Sequence, residues 1–371
     1  MLRRLSRCAF AFLLFLSGCV SIPTADDLRI NEVQVIGSHN SYHIEPHPSV
    51  LQVIASRNQA NARGLQYTHP PLPVQFDQGI RQIELDIFAD PEGGRYARPS
   101  GPEEARALGL PTPPNHDEEG KMLKPGYKVF HIPNTDFLST TPTLQEALTQ
   151  VRDWSRAHPT HFPICVLLEL KKEGKDAPAY TIEDLAALER EIRAIFPRDH
   201  ILTPDDVRRD APTLPDALNK HGWPTVREAQ GKVMFALDNE DATRDLYISN
   251  APSLNGKLIF VSVPENALSD PHPAAAWMKM NEAKRDFAQI QQMVRAGYLV
   301  RTRSDIPNVE VAANDTTRRD AAFASGAQFI SSDYWRPDPR FSSYSAAFPG
   351  GVLMRANSLL NPNKKVQLKG R

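Results

Sequence analysis

The chain carries no excess of charge. Lys and Arg number 43 against 44 Asp and Glu, a formal net charge of −1, and no basic cluster interrupts that balance, which argues against nucleic acid as a partner. Cysteine is scarce, at three in 371 residues. Cys8 and Cys19 lie at the N-terminus, so Cys165 has no mate in the body of the chain and a disulfide framework there is excluded. Its neighbours, Ile164-Cys165-Val166-Leu167-Leu168, offer no base, so it reads as a small buried hydrophobe and not a nucleophile. Past the N-terminus no apolar stretch approaches the ~20 residues a membrane-spanning helix needs. No internal repeat is present.

The N-terminus itself reads as a targeting segment. Arg3, Arg4 and Arg7 precede an apolar run from Cys8 to Leu16 that is too short to span a bilayer. Leu16-Ser17-Gly18-Cys19 then resembles a bacterial lipobox, in which the chain is cut before the cysteine and the thiol is acylated. The expectation is a signal peptide over 1–18, a lipidated linker over 19–27 anchored at Cys19, one catalytic domain over 28–340, and a surface wrap with a basic tail over 341–371. Val20 stands where an inner-membrane retention aspartate would be, so the expected site is an outer membrane or cell surface. Plain secretion, or a periplasmic enzyme, is the alternative. A monomer is expected.

Roughly 350 mature residues with 41% apolar composition suffice for one large core. Eight short apolar runs rich in β-branched residues stand out, at 32–37, 82–88, 128–131, 164–170, 232–237, 257–263, 298–303 and 328–332. Several are nearly all apolar, as strands covered on both faces are. Helical periodicity fills much of the intervening sequence, over 143–158, 181–195, 278–296 and 316–325. The alternation predicts an α/β fold, a (β/α)8 barrel of the TIM type, although a doubly wound sheet shares the pattern. The stretch 90–126, rich in proline, glycine and charge, predicts a long loop insertion after the second strand, either a rim at the site or a disordered excursion.

Chemistry collects where the apolar runs end. Gly37-Ser38-His39-Asn40-Ser41 follows the first, Glu84-Leu85-Asp86 closes the second, His131 the third and Glu169-Leu170-Lys171 the fourth. Residues i and i+2 on a strand share a face, so Glu84 and Asp86 point together, as do Glu169 and Lys171. The C-terminal strand ends of a barrel converge on one site. Three carboxylates at about 4 Å cost ~4 kcal/mol per pair at an effective dielectric of 20, more than Lys171 can offset. A hard divalent cation can, and Asn40 adds a carbonyl oxygen. Oxygen ligands suit Ca2+ better than Zn2+.

The ordered set, from Val33 to Tyr42, through Glu84-Leu85-Asp86, Val129-Phe130-His131 and Leu168-Glu169-Leu170-Lys171, to Ser331-Ser332-Asp333-Tyr334, resembles the bacterial calcium-dependent phosphatidylinositol-specific phospholipases C over about 28–335. The resemblance implies Ca2+ held by Asn40, Glu84, Asp86 and Glu169, with His39 and His131 flanking a phosphate. It implies attack by the inositol 2-hydroxyl, loss of diacylglycerol and a 1,2-cyclic phosphate. His131 would protonate the leaving oxygen, and either His39 or Glu84 would be the base. Asp333 would fix the His39 tautomer, or else cap a turn after Ser332. Lys171 would contact phosphate or pair with Glu169. Arg301 and Arg303 would bind phosphate or an inositol hydroxyl, or else form barrel-wall salt bridges. His43, His47 and His69 read as surface residues, His116 and Asp117 have no role, and Tyr42 could face lipid or inositol.

Two other functions compete. A glycerophosphodiester phosphodiesterase shares barrel and metal site but opens with His-Arg-Gly where this chain has His39-Asn40-Ser41. A lipid-anchored, non-catalytic binding barrel has little need of two histidines.

Overall fold

The structure, a computed structural model, describes residues 25–174, 177–306 and 308–362. The expected signal peptide, Cys19 and the basic end of the tail lie outside them. Eight parallel strands form the barrel: β1 (Val33–Ser38), β2 (Gln82–Phe88), β4 (Ile164–Leu170), β5 (Val233–Leu237), β6 (Ile259–Val261), β7 (Trp277–Lys279), β8 (Leu299–Arg303) and β9 (Phe329–Ser332). They run in the order β6-β5-β4-β2-β1-β9-β8-β7, and a bridge from Ser262 to Trp277 spans the remaining seam. Two short strands stand off the ring, β3 (Lys128–Val129) antiparallel to β2 and β10 (Met354–Ala356) antiparallel to β1.

β4 is buried along nearly its whole length because one face fills the barrel and the other meets helices. The helix at Leu144–Ala157 begins where the Thr143 hydroxyl accepts from Glu146 N–H (3.2 Å), and its buried stripe includes Leu144, Leu148 and Val151. Thr181 and Asp184 form a capping box at the start of Ile182–Ile195.

Registered residues on adjacent parallel strands share a face. Gly37, Gln82, Cys165 and Met234 are in register and turn inward as one layer. A Cβ on Gly37 would lie 2.0 Å from Gln82 Oε1, so this position admits glycine alone without repacking the barrel centre. Two residues on, Glu84 lies in register with the apolar Leu167 and Ala236; four residues on, Asp86, Glu169 and Asp238 make the layer polar, and it forms the mouth.

Two sequence expectations are corrected. The run 128–131 is no barrel strand: its extended part is two residues that pair antiparallel with Ile87 and Phe88, as the return limb of the 90–126 excursion. The missing barrel strand is Trp277–Lys279, which overlaps the start of the 278–296 stretch read as helix; the helix there is Phe287–Arg295. Three residues are too few to show alternation, and the strong periodicity that follows masked them.

The excursion is ordered and not a disordered loop. Its neck is pinned by Lys128, fully buried, whose Nζ lies 3.1 Å from Asp90 Oδ2 and donates to the carbonyls of Lys124 (2.6 Å) and Gly126 (3.1 Å). Tyr96 and Met122 fold back onto Phe88 and Phe130, whose rings stack at 4.5 Å. Within it a helix, Gly101–Ala107, rests against α1 (Pro48–Arg57), with Gly101 N–H donating to Asn134 O (2.8 Å). The excursion therefore forms one rim of the mouth.

Candidate active site

The turn after β1 is clamped onto β2. Ser41 N–H donates to Glu84 O (2.9 Å), Glu84 N–H donates to Ser41 Oγ (2.8 Å), and the Gln75 amide donates to Ser41 O (2.6 Å). His39 N–H meanwhile donates to Ser332 O (3.0 Å), which ties the turn to β9. Between these anchors Asn40 takes a left-handed conformation (φ 43°) and is buried. Asparagine tolerates that region better than most residues.

Glu84, Asp86 and Glu169 converge as expected: one carboxylate oxygen of each lies within 4.8 Å of the others. Register explains it, since Asp86 pairs with Glu169 and Glu84 shares their inward face. Lys171 bridges Asp86 (3.3 Å) and Glu169 (3.2 Å), so of its two expected roles the structure displays the ion pair. Both Asp86 oxygens are nonetheless buried without a hydrogen bond. Burial, then repulsion from Glu169, pushes the Asp86 carboxyl well above its ordinary range. Burial raises Glu84 to about 8 although Arg301 opposes it. A clustered, under-bonded set of hard oxygen donors fits Ca2+, the metal its chemistry selects. Tyr42 is fully buried next to Asp86, which removes it from contact with lipid.

His39 is held on both sides. Its Nδ1 donates to Asp333 Oδ1 (2.6 Å), while Nε2 accepts from Arg303 Nη1 (3.1 Å) and lies 3.6 Å from Glu84 Oε1. Burial, aided by Arg303, lowers its pKa to about 3, so the ring is the neutral Nδ1–H tautomer. Asp333 thus serves His39 and does not cap a turn. Arg303 also donates to Asp333 Oδ2 (2.8 Å), and Arg301 grips Glu84 while donating to Ser331 Oγ (3.1 Å). Both arginines act here as salt-bridging wall residues.

His131 arrives from the excursion's return limb. A tight turn returns the chain at Asp136, whose Oδ2 accepts from His131 Nδ1 (2.7 Å). The same carboxylate meets His43 Nε2 (2.9 Å), and His43 Nδ1 faces Tyr67 O (3.0 Å). Burial would raise Asp136, yet the two histidines outweigh it and hold the carboxyl down to about 2. The His131 ring borders a 540 Å³ groove lined by Ile54, Leu65, Ile132 and Ile306.

Sequence reasoning missed Asp136 and misplaced two histidines. His43 and His69 are buried, not surface residues. His69 donates from Nε2 to His39 O (2.9 Å) and accepts from Trp335 Nε1 (3.2 Å), so it braces the His39 turn. The repeated His-Asp partnership was the one available signal, and Asp136 sits five residues past His131.

A parallel barrel with a carboxylate cage and two aspartate-held histidines at its C-terminal mouth defines a metal-assisted phosphodiesterase. The chain belongs to the family of calcium-dependent phosphoinositide phospholipases C, whose profile matches residues 28–358. Among solved structures it is similar to the calcium-dependent phosphoinositol-specific phospholipase C of a Gram-negative Pseudomonas species, at 18% identity over 90% of this chain and 97% of that one, with a TM-score of 0.54. It is also similar to the Ca2+-dependent phosphatidylinositol-specific phospholipase C of Streptomyces antibioticus, at 19% identity over 83% and 95% of the two chains, with a TM-score of 0.50. No curated protein sequence matches. The chain is accordingly an enzyme that acts on phosphoinositide lipids with calcium, and the reading as a glycerophosphodiester phosphodiesterase is set aside.

Proposed function

We propose that the enzyme cleaves a phosphatidylinositol lipid by intramolecular attack. The inositol 2-hydroxyl oxygen bonds to phosphorus, the phosphorus–glycerol bond breaks, and diacylglycerol and inositol 1,2-cyclic phosphate leave. His131, as the imidazolium, supplies its Nε2 proton to the departing glycerol oxygen, with Asp136 holding Nδ1–H before the transfer and on the neutral ring after it. The attacking hydroxyl gives its proton to the His39–Glu84 pair, whose facing atoms lie 3.6 Å apart. Asp333 keeps Nε2 of His39 as the acceptor, and Arg303 must give way from that nitrogen as substrate enters. Asn40, Glu84, Asp86 and Glu169 would hold Ca2+, which supplies positive charge beside the hydroxyl and the phosphoryl oxygens. Lys171 and Arg303 are the nearest cations for the phosphate.

The observation that carries this reading is the pairing of two aspartate-held histidines with a carboxylate cluster whose central oxygens lack hydrogen bonds. The groove beside His131 suits the diacylglycerol side of the lipid. At the other end of the chain, acylation at Cys19 would hold the mouth near a bilayer, at an outer membrane or cell surface. Phosphorus NMR of products from phosphatidylinositol vesicles, with Ca2+ or EGTA, tests the chemistry: calcium-dependent cyclic phosphate is expected. Glycerol phosphate released from glycerophosphocholine, with no cyclic product, would overturn it. Intact-mass measurement of Cys19→Ala against wild type tests the anchor; equal masses for the two mature chains, apart from the substitution, would remove it.

A further inference from the structure

Two lines of hydrogen bonds run to His39 from a part of the chain that the chemistry above leaves unused, the stretch 342–348 beyond β9. Tyr344, Ala346 and Phe348 alternate inward there and are buried. Three ties hold the stretch in place. Ser342 Oγ donates to Val311 O (2.6 Å), Arg319 Nη1 donates to Ser345 O (2.9 Å), and Ala346 N–H donates to Tyr334 O (3.0 Å).

The first line reaches the imidazole ring. Tyr344 Oη donates to Ser304 O (2.8 Å) and lies 3.3 Å from Asp305 Oδ2, so it pins the turn that follows β8. Asp305 is buried and accepts on both oxygens: Oδ2 takes the hydroxyls of Ser304 (2.9 Å) and Ser332, and Oδ1 takes Asp333 N–H (3.0 Å). Its Oδ1 also lies 3.8 Å from Arg303 Nη2, the nitrogen that donates to Asp333 Oδ2. Asp305 therefore sets both the main chain of Asp333 and the cation on its carboxylate, and Asp333 in turn holds His39 Nδ1. The second line reaches the backbone. Ser345 Oγ donates to Trp335 O (3.1 Å), Trp335 Nε1 donates to His69, and His69 Nε2 donates to His39 O. Buried networks bonded in this way are rigid and hold one arrangement of their members.

Resting on the proposed mechanism, in which the His39–Glu84 pair takes the proton, we infer that Asp305 and Tyr344 are positioning residues for His39. The 342–346 segment fixes that residue twice, its ring through Asp305 and Asp333 and its main chain through Trp335 and His69. The site is thus incomplete without chain that lies outside the (β/α)8 ring. What the two lines set is the distance from His39 Nε2 to the attacking hydroxyl, and a displacement of ~1 Å in such a contact can cost ~100-fold in rate.

The test is a double-variant cycle on the full chain, with phosphatidylinositol in mixed micelles and saturating Ca2+. Asp305→Asn should lower kcat ~10-fold and Tyr344→Phe ~3-fold, with KM and calcium affinity by calorimetry within ~2-fold of wild type. In an Asp333→Asn background the further loss from Asp305→Asn should shrink below ~2-fold, because residues that act through one another are not additive. Phe348→Leu loosens the same segment where its ring meets Phe323 (4.7 Å) and should lower the melting temperature while leaving kcat in place. Full additivity of Asp305→Asn with Asp333→Asn overturns the inference, as does a kcat loss in Phe348→Leu equal to that of Tyr344→Phe; the segment would then act as cover alone. Unchanged kcat in both Asp305→Asn and Tyr344→Phe overturns it too, and with Asp333→Asn still impaired the mechanism stands. If Asp305→Asn does not fold, the same cycle built on Tyr344→Phe decides. Full turnover by Asp333→Asn itself overturns the role given to His39, and this inference with it.

Discussion

Two sides of the mouth are finished to different degrees. Around His39 most polar atoms are matched: Asp333, Arg303, Asp305 and Ser332 bond to one another, with Asp333 N–H donating to Asp305 (3.0 Å) and Arg303 spanning Asp333 and His39, so that only Nε of Arg303 is left over in this group. Around Asp86 they are less so, since neither buried oxygen has a well-formed hydrogen bond and the one nearby ammonium, Lys171 at 3.3 Å, is shared with Glu169. Buried networks that are fully satisfied are rigid, whereas unsatisfied buried charge costs stability until something neutralises it. The side proposed to handle protons is thus largely bonded in advance, and the carboxylate side is left to be completed by Ca2+.

Calcium removal should break this contrast most severely. Excess EGTA is expected to lower phosphatidylinositol cleavage by ~1,000-fold or more, read as product release. Calcium at 100 times its Kd should add about 2.7 kcal/mol to stability. Asp86→Asn should erase that gain while leaving the calcium-free protein at least as stable as wild type; an undiminished calcium shift in the melting curve would show that Asp86 is no ligand. Next, His131→Ala should reduce turnover by at least ~100-fold with calcium affinity little changed by calorimetry. Asp333→Asn should cost ~10- to ~100-fold, in kcat more than KM, because it acts through the His39 tautomer.

The smallest expected effect concerns acid. Asp136 falls from an ordinary 3.8 to about 2 in the fold, so the unfolded chain binds its proton first. Its stabilisation is complete above about pH 4 and is lost as pH falls toward 2, a difference of roughly 2 kcal/mol. Asp136→Asn should therefore flatten the stability curve between pH 4 and 2 in urea melts. An acid limb as steep as wild type would show that the carboxylate is not held down by His43 and His131.

Barrel and metal cluster were legible because each rests on a short local pattern. Glu84-Leu85-Asp86 declares two carboxylates on one strand face, and a run like Ile164–Leu170 declares a strand covered on both sides. What escaped depends on distant chain. Three residues of β7 gave no period, and the two of β3 resembled a barrel strand because antiparallel pairing leaves no trace in a two-residue sequence. His43 and His69 looked exposed because the loop around them is polar; the partners that bury them, Asp136 and Trp335, lie 93 and 266 residues away. Arg301 and Arg303 were open to two readings, and only the placement of Glu84 and Asp333 opposite them separates the two.

One consequence follows from where His131 is mounted. Its backbone belongs to a hairpin limb suspended from the edge of Phe88, latched at the neck by Lys128 and Asp90, and so lies outside the ring whose spacing the other site residues inherit. On the proposed mechanism, His131 can thus be moved toward or away from the phosphorus by changes in the 90–126 segment alone, with the ligand cage untouched. Tolerance for bulkier leaving alcohols is in that sense an adjustable property of the hairpin, separable from calcium binding.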